Sequence, residues 1–192
     1  MNSIVARAKP ISLEDGQRAQ AQCGVCVATI GNGATMRAWL EPVNDPGCTH
    51  GVLWARAFDV GGEPYADAFE VSSGTVAGTG LLIGAALAIA TLSAGGFVIA
   101  WTGHGASDAA CVCVQSFDDH GARRGAVRRI NSNPLQGRTE ILLTALPSSG
   151  FVVAWRDRVD PSPHAAALEF HTRMFDRFGE SLGNEFLCTF RA

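Results

Sequence analysis

Charge is scarce in this 192-residue sequence. Asp, Glu, Lys and Arg together make up 17% of the residues, and the net charge is −3 at pH 7. A chain without a basic excess lacks the electrostatic footprint that favours nucleic acids and anionic membranes. Residues 1–7 also lack the apolar core of a secretory signal. We therefore expect no nucleic acid partner, no Sec signal peptide and a cytoplasmic location by default, with leaderless export or incorporation in a surface assembly as alternatives.

Catalytic and metal-binding signatures are missing as well. The sequence contains no Gly-x-Ser-x-Gly elbow, no His-Glu-x-x-His, no phosphate-binding glycine loop and no dinucleotide fingerprint. Cys23 and Cys26 form the only Cys-x-x-Cys, so the second pair of a zinc site is lacking. We predict reduced thiols, with Cys26, Cys111 and Cys113 buried as small apolar residues. No cofactor, no metal and no catalytic residue is predicted.

One long segment carries no charge at all. Residues 71–107 contain no Asp, Glu, Lys or Arg, and residues 81–92 are almost wholly apolar. A transmembrane helix is the alternative that this segment raises, but such a helix needs roughly 20 apolar residues. The small and polar residues 93–96 interrupt the run before that length is reached. We interpret the segment as two buried strands around a turn, with no membrane span.

What the sequence does contain is an internal repeat. Phe-Asp-x-x-Gly occurs at residues 58–62, 117–121 and 175–179, so the phenylalanines follow one another at steps of 59 and 58 residues. A tryptophan precedes each copy at the end of an apolar run, namely Trp39, Trp101 and Trp155. A fixed period marks a chain built from copies of one unit. We predict a single all-β domain over 1–192, with an N-terminal strand or arm at 1–19 and repeats at 20–78, 79–134 and 135–192.

Each repeat is predicted to form four short strands, a to d, joined by turns that contain Gly and Asn. Strand b is expected to end at the tryptophan, strand c at Phe-Asp, and strand d follows the turn. The segment from Gly33 to Trp39 fits the other copies only after a one-residue slip. The predicted spans are 26–30, 87–92 and 141–146 for strand a, 52–58 and 111–117 for strand c, and 69–72, 127–131 and 186–190 for strand d.

Four-stranded units of this kind suit propeller blades, with strand a innermost. Propellers close with four to eight blades, so three repeats predict a homo-oligomer, most simply a dimer that makes a six-bladed ring. The N-terminal segment 4–12 would add a strand to the blade edge of a neighbouring chain. A β-trefoil or β-prism, which three four-stranded copies also build in a monomer, is the alternative fold.

The feature closest to a binding site is the loop between strands b and c, which carries an Asp with a His in every repeat. A tryptophan before this loop would give a stacking face, and the polar pair would direct hydrogen bonds. The alternative is that loops are polar anyway and that Asp favours turns. The candidate ligand-binding residues are Trp39, Asp45, His50, Trp101, His104, Asp108, Trp155, Asp160 and His164.

Arginines cluster around the turn between strands c and d of the second repeat. Guanidinium groups suit phosphate and carboxylate recognition, so the cluster is a candidate partner-binding patch. Charges on an outer strand also keep an exposed edge from pairing with other chains, which is the structural alternative. The residues are Arg123, Arg124, Arg128 and Arg129.

These landmarks resemble a known tandem repeat. Residues 95–101, 114–121 and 129–132 follow the forms Gly-Gly-Phe-Val-Val-x-Trp, Gln-x-Phe-Asp-x-x-Gly and Val-Asn-Thr. Such repeats occur in large bacterial secreted and surface proteins of the haemolysin-type and adhesin-like kind. The resemblance implies a surface-binding repeat array and brings no catalytic residues. Calcium binding is not carried over, because the loop after the tryptophan lacks a Gly/Asp-rich acidic cluster.

Together these features predict a non-enzymatic, lectin-like module that recognises a carbohydrate or another surface ligand through the loops after the tryptophans. A structural or assembly subunit of a larger complex is the alternative. A hydrolase that uses Asp and His of one loop is a third alternative, for which no carboxylate pair or activated nucleophile is visible in the sequence.

Overall fold

The computed structural model describes residues 23–30, 33–42, 50–72, 76–77, 86–104, 110–135, 138–158 and 167–191. Within these ranges the chain forms thirteen β-strands and no α-helix. The strands are β1 (Cys23–Thr29), β2 (Thr35–Pro42), β3 (His50–Phe58), β4 (Phe69–Glu70), β5 (Val76–Ala77), β6 (Leu87–Thr91), β7 (Phe97–His104), β8 (Ala110–Phe117), β9 (Arg123–Arg129), β10 (Arg138–Ala145), β11 (Phe151–Arg158), β12 (Ala167–Phe175) and β13 (Phe186–Arg191).

The strands pair into three antiparallel sheets that follow one another along the chain. The first sheet has the order β1-β2-β3-β4, and β5 also pairs with β3. The second sheet is β6-β7-β8-β9, and the third is β10-β11-β12-β13. Each repeat therefore contributes one sheet in which neighbouring strands are also neighbours in sequence, except that β5 lies beside β3. The predicted all-β class with four-stranded units is confirmed.

The structure corrects the alignment of the first repeat. The hairpin bond from Ile30 N–H to Ala34 O, 2.8 Å, matches the bond from Leu92 N–H to Gly96 O, 2.9 Å. Ala34 thus occupies the place of Gly96, and the tryptophans align without the predicted slip. The slip was predicted because the other two repeats have a glycine at this position, whereas the first repeat has Ala34. Gly96 has a φ of 83°, whereas Ala34 is not among the described residues with a positive φ.

Several predicted strand boundaries are wrong, and β9, for example, begins at Arg123 and not at residue 127. The second strand of each sheet continues three residues beyond the tryptophan, because its backbone still pairs with the next strand, as His104 does with Ala110. The fourth strand of the first sheet is only Phe69–Glu70, and an isolated bridge joins Phe58 to Pro64 before it. The third sheet has the equivalent bridge, Phe175 to Ser181, before a longer fourth strand, Phe186–Arg191.

The Phe-Asp-x-x-Gly motif forms the turn between the third and fourth strands of each repeat. In the second sheet, Asp118 Oδ1 accepts backbone N–H bonds from His120 and Ala122, at 2.9 and 2.8 Å. The glycine of the motif has a positive φ in all three turns, for example 83° at Gly121. Glycine adopts this conformation without a steric penalty. The aspartate and the glycine therefore hold the turn that the sequence places after the third strand.

The second sheet lies between the other two and buries both of its faces. One face, where Phe97 stacks on Phe117 at 4.9 Å, packs on the first sheet. The other face, with Val98 and Val112, packs on the third sheet. The first strands of the sheets lie side by side, β1 next to β6 and β6 next to β10. Within the described residues the sheets do not close into a ring, so one face of the first sheet and one face of the third remain outermost.

The described part of the chain includes no helix long and apolar enough to cross a membrane. Part of the uncharged segment, Leu87–Thr91, is strand β6 as predicted. Residues 78–85 and the predicted N-terminal arm at 1–19 lie outside the described residues.

Candidate functional site

The stack of sheets has two different ends. At one end the strands are joined by tight hairpins and by the Phe-Asp-x-x-Gly turns. We name the other end the loop end. There the second strand of each sheet ends and the third strand begins, and the connections between them span residues 43–49, 105–109 and 159–166. Ligand sites concentrate on longer loops that a rigid scaffold holds in place. The loop end is therefore where a site is expected.

Most of the predicted Asp and His residues fall in these connections. Asp45, Asp108, Asp160 and His164 lie outside the described residues. His50 begins β3 and His104 ends β7, so the backbone of both lies at the loop end. A shared Asp-His pocket in the three loops stays a prediction.

The three tryptophans do not present equivalent surfaces. Trp101, 4% exposed, lies between the first and second sheets, and Trp155, 1% exposed, lies between the second and third. Because alternate residues of a strand point to opposite faces, both indoles fill the space between sheets and offer no stacking face to a ligand. Trp39 is half-buried on the outer face of the first sheet. The predicted aromatic platform is thus corrected for Trp101 and Trp155.

A charged group that the sequence analysis missed lies at the loop end of the third sheet. Arg156 Nη2 donates to Glu140 Oε2 at 2.6 Å, and its guanidinium carbon lies 5.3 Å from the centroid of the Phe170 ring. The next residue, Asp157, is half-buried and pairs across the strands with Thr139. Glu140 and Asp157 therefore occupy neighbouring registers on opposite faces of the sheet. Cross-strand register decides such pairings, and a linear motif does not reveal it.

A second polar cluster joins the second and third sheets. Glu185 Oε1 lies 2.8 Å from His171 Nδ1, and Glu185 Oε2 accepts the backbone N–H of Ser132 at 2.8 Å. The His171 ring stacks on Trp155 with centroids 5.8 Å apart. Burial opposes ionisation of Glu185, but the hydrogen bonds from Ser132 and the nearby His171 outweigh it and hold the pKa of this carboxyl below its ordinary value.

The order of groups in this cluster does not match a nucleophile relay. In a hydrolytic triad the histidine contacts the hydroxyl and the carboxylate orients the histidine. Here the carboxylate of Glu185 lies between Ser132 and His171. The cluster connects two sheets and supplies no activated hydroxyl.

The arginines of the second repeat also connect sheets. Arg123 Nη2 donates to the backbone carbonyls of Glu70 and Val71 in the first sheet, each at 3.1 Å. Arg128 forms an ion pair with Glu180 of the third sheet. These described partners are intramolecular, and a role in binding another protein stays a prediction. The remaining two arginines donate within the second sheet, Arg124 to Gly95 O at 2.9 Å and Arg129 to Asn131 O at 3.2 Å.

Two of the described thiols, Cys111 and Cys113, are core groups, whereas Cys188 is half-buried and Cys26 is less buried than predicted. Cys111 and Cys113 are buried on one face of β8 with their Sγ atoms 3.5 Å apart, as the sequence predicted. The hydrogen bond with Cys111 and burial raise the pKa of the Cys113 thiol. Cys26 is half-buried and donates to Leu87 O at 2.7 Å. In the ranges that the structure covers, no three His, Cys, Asp or Glu side chains come together as metal ligands would.

Solved structures share this architecture. The chain is similar to an α-L-arabinanase from Penicillium chrysogenum in complex with arabinobiose, with a TM-score of 0.50, 13% identity and coverage of 89% of this chain and 50% of that one. It is also similar to a GH43_1 enzyme from Xanthomonas citri in complex with xylotriose, with a TM-score of 0.53, 11% identity and coverage of 91% and 60%. A third is the α-L-arabinofuranosidase Arb93A from Fusarium graminearum with an iminosugar inhibitor, with a TM-score of 0.50, 11% identity and coverage of 88% and 49%.

At these identities the similarity concerns the fold. It agrees with propeller-like sheets, since the GH43 enzyme is a five-bladed β-propeller. This chain spans between 49% and 60% of the length of those structures. No family model matches the sequence, and no curated protein matches it. The resemblance to haemolysin-type tandem repeats therefore stays a prediction.

The predicted function needs correction. The solved structures that share the fold are glycoside hydrolases, which contradicts the prediction of a non-enzymatic binding module, its structural-subunit alternative and the prediction that the protein is not an enzyme. The prediction relied on linear motifs. The two carboxylates of a glycoside hydrolase need only meet in space, so they can come from different strands and leave no signature along the chain.

Proposed function

We propose that this chain is the catalytic part of a carbohydrate-degrading β-propeller, a glycoside hydrolase that acts on arabinose- or xylose-containing oligosaccharides. The observation that carries the proposal is the similarity of 88–91% of the chain to three such enzymes, each in complex with a sugar or a sugar-like inhibitor. The similarity concerns the fold, and the activity is our inference from it.

In this proposal the three sheets are consecutive propeller blades. Two features support the arrangement: successive sheets pack face to face, and β1, β6 and β10 lie side by side. In a propeller the innermost strands surround a central channel. The loop ends of β6 and β10 would then open at one mouth of that channel.

The proposed catalytic carboxylates are Glu140 and Asp157. Glycoside hydrolases use one carboxyl group to protonate the leaving oxygen and a second as nucleophile or base, roughly 5–10 Å from the first. Glu140 lies on the proposed innermost strand at the loop end, with its side chain 45% exposed and oriented by Arg156. Asp157 lies on the adjacent strand at the next register and on the opposite face of the sheet, so in this proposal the sugar binds over the sheet edge at the loop end, between the two carboxylates. The pair combines an open carboxylate with a half-buried one.

The test is hydrolysis of 4-nitrophenyl α-L-arabinofuranoside, 4-nitrophenyl β-D-xyloside, arabinobiose and xylotriose, followed by product chromatography. Removal of an acid or base group lowers kcat by roughly 10²–10⁴-fold, so we expect Glu140→Gln and Asp157→Asn each to lose activity by about that factor. Glu180→Gln is the matched control, because Glu180 also pairs with an arginine, Arg128, but follows a turn at the opposite end.

Absence of hydrolysis of every pentoside substrate by a folded wild-type protein would overturn the proposed function. Full activity in both carboxylate variants, with the same thermal unfolding as wild type, would refute the residue assignment alone.

A further inference from the structure

The two outermost sheet faces expose large apolar side chains. On the third sheet, Leu142, Met174 and Phe186 are 51%, 40% and 45% exposed. On the first sheet, Val25 and Val27 are 47% and 50% exposed. Scattered apolar residues are normal on a protein surface, but residues grouped on one face mark an interaction site.

The outer face of the third sheet repeats a face that is buried in the other two. Ala154 has the register of Ala38 and Ala100, both 0% exposed between sheets. Met174, one residue before the Phe-Asp turn, corresponds to Ser116, which is buried between the second and third sheets. The third sheet thus keeps the pattern of a covered face, although no sheet formed by the described residues lies above it.

The outer face of the first sheet has the complementary pattern. Val25 pairs with Trp39 as Leu87 pairs with Trp101, and Trp101 is buried by the preceding sheet. Phe58 corresponds to Phe117 at the end of the third strand, and Phe117 is fully buried in the same contact. The first sheet therefore carries the residues that elsewhere receive a preceding sheet.

We propose that the outer face of the first sheet packs on the outer face of the third sheet of a second copy of this chain, and that two such contacts close a ring of six sheets. The occupant is a second copy because each chain carries both halves of the contact, in the same positions as the two internal contacts. Six lies within the four to eight blades that close a propeller. The inference rests on the blade arrangement of the proposed function, and its chemistry plays no part.

Hydrogen bonds across the internal contact between the first and second sheets predict one across the new contact. Thr91 Oγ1 donates to Thr29 O, and Cys26 Sγ donates to Leu87 O at 2.7 Å. Thr29 ends the first strand of the first sheet as Thr91 does in the second. In the ring, the Thr29 hydroxyl would donate to Ala145 O of the second copy, since Ala145 ends the first strand of the third sheet.

The test is the mass of the full chain by light scattering and sedimentation velocity at micromolar concentration. The expected mass is that of two chains of 20.1 kDa each. Val27→Glu and Met174→Glu each place a charge on one of the two faces, and we expect each to raise the dimer Kd roughly 100-fold, as loss of a buried interface residue does. The matched control is Val60→Glu, because Val60 is 79% exposed in a turn outside both faces, and it should leave the mass unchanged.

Mixing the variants tests the head-to-tail geometry. Val27→Glu retains a sound third sheet and Met174→Glu a sound first sheet, so an equimolar mixture should regain one contact and form a two-chain species that neither variant forms alone. Far-UV circular dichroism checks that both variants fold, and Leu142→Glu replaces Met174→Glu if the latter does not.

A wild-type mass of one chain would overturn the proposal, and so would a mass above two chains. If Val27→Glu dissociates the dimer and Met174→Glu does not, the first sheets of the two chains pair with each other, and this result also overturns the proposal. The mass does not depend on substrate. An inactive dimer would therefore refute hydrolysis alone, and an active monomer would refute the ring alone.

Discussion

At the scale of the residue, Ser149 has a positive φ at a hairpin position where the other two repeats have glycine. Its φ is 73°, and the equivalent hairpin positions of the first and second repeats are Gly33 with 78° and Gly95 with 83°. The left-handed conformation costs about 1–2 kcal/mol for a residue with a Cβ. The third repeat tolerates this cost, because the hairpin still forms the Ser149 N–H to Leu146 O bond at 3.1 Å.

We expect Ser149→Gly to raise the free energy of unfolding by about 0.5 kcal/mol, because relief of the left-handed strain exceeds the larger chain entropy of glycine in the unfolded state, about 0.4–1 kcal/mol. Gly95→Ser is the matched reversal and should be destabilising. A Cβ at Gly95 would lie 2.6 Å from Asp119 Oδ2, so the side chain there must move. Urea denaturation of both variants gives the values, and a loss of stability in Ser149→Gly would contradict the strain.

At the scale of the element, polar side chains connect strands of different sheets. The apolar core supplies most of the packing between sheets, and groups such as Arg123 and Glu185 add bonds from one sheet to the next. Charged groups that donate or accept in this way contribute about 1.5–3 kcal/mol each when well formed. Contacts of this kind fix the position of one sheet against its neighbour.

Glu185 gives stability a defined pH dependence. Its folded-state pKa lies below the ordinary value of 4.5, so its stabilisation is fully present above that pH and is lost as the pH falls through the lowered pKa. We expect Glu185→Gln to lower the free energy of unfolding by about 1 kcal/mol at pH 7 and by progressively less toward pH 3. Denaturant titrations from pH 7 to pH 3 test this, with the exposed Glu63→Gln as control. An equal loss at all pH values would mean that the charge of Glu185 is not the cause.

Local chemistry explains why most elements could be predicted. A tryptophan in the second strand and the Asp and Gly of the turn are signals that span a few residues, so the strands and turns were predicted, although several strand boundaries lie elsewhere in the structure. The short length of β4 was not predicted, and no local signal marks it, because the third sheet has the equivalent bridge at Ser181 and still forms a fourth strand of six residues.

At the scale of the whole molecule, the three sheets are not equivalent. In the part of the chain that the structure describes, the middle sheet is covered on both faces, whereas the first and third each leave one patterned apolar face open. The stack therefore ends in two faces whose residue pattern matches that of the faces covered between sheets. Its stability is therefore expected to depend on whatever covers the ends.

We expect a Trp→Ala substitution to lower the free energy of unfolding by different amounts at the centre and at the end of the stack. Trp101→Ala should cost about 3–5 kcal/mol at any protein concentration, because Trp101 is buried within the chain. Trp39→Ala should cost less in dilute protein, and its cost should grow with concentration, since association stabilises the folded state by mass action. Thermal unfolding over a hundredfold concentration range compares the two. A concentration-independent cost for Trp39→Ala would indicate that its face stays uncovered.

The sequence by itself determined the repeat, the strands, the turns and the alternation of buried and open positions, because these depend on neighbouring residues and on the backbone preferences of Gly, Pro and Asp. Only the tertiary structure decided which side chains meet. Glu185 reaches Ser132, which is 53 residues away along the chain, and Glu140 meets Arg156 through strand register. Such contacts depend on how sheets stack in space, and the stacking is set by the whole core, which no local pattern encodes.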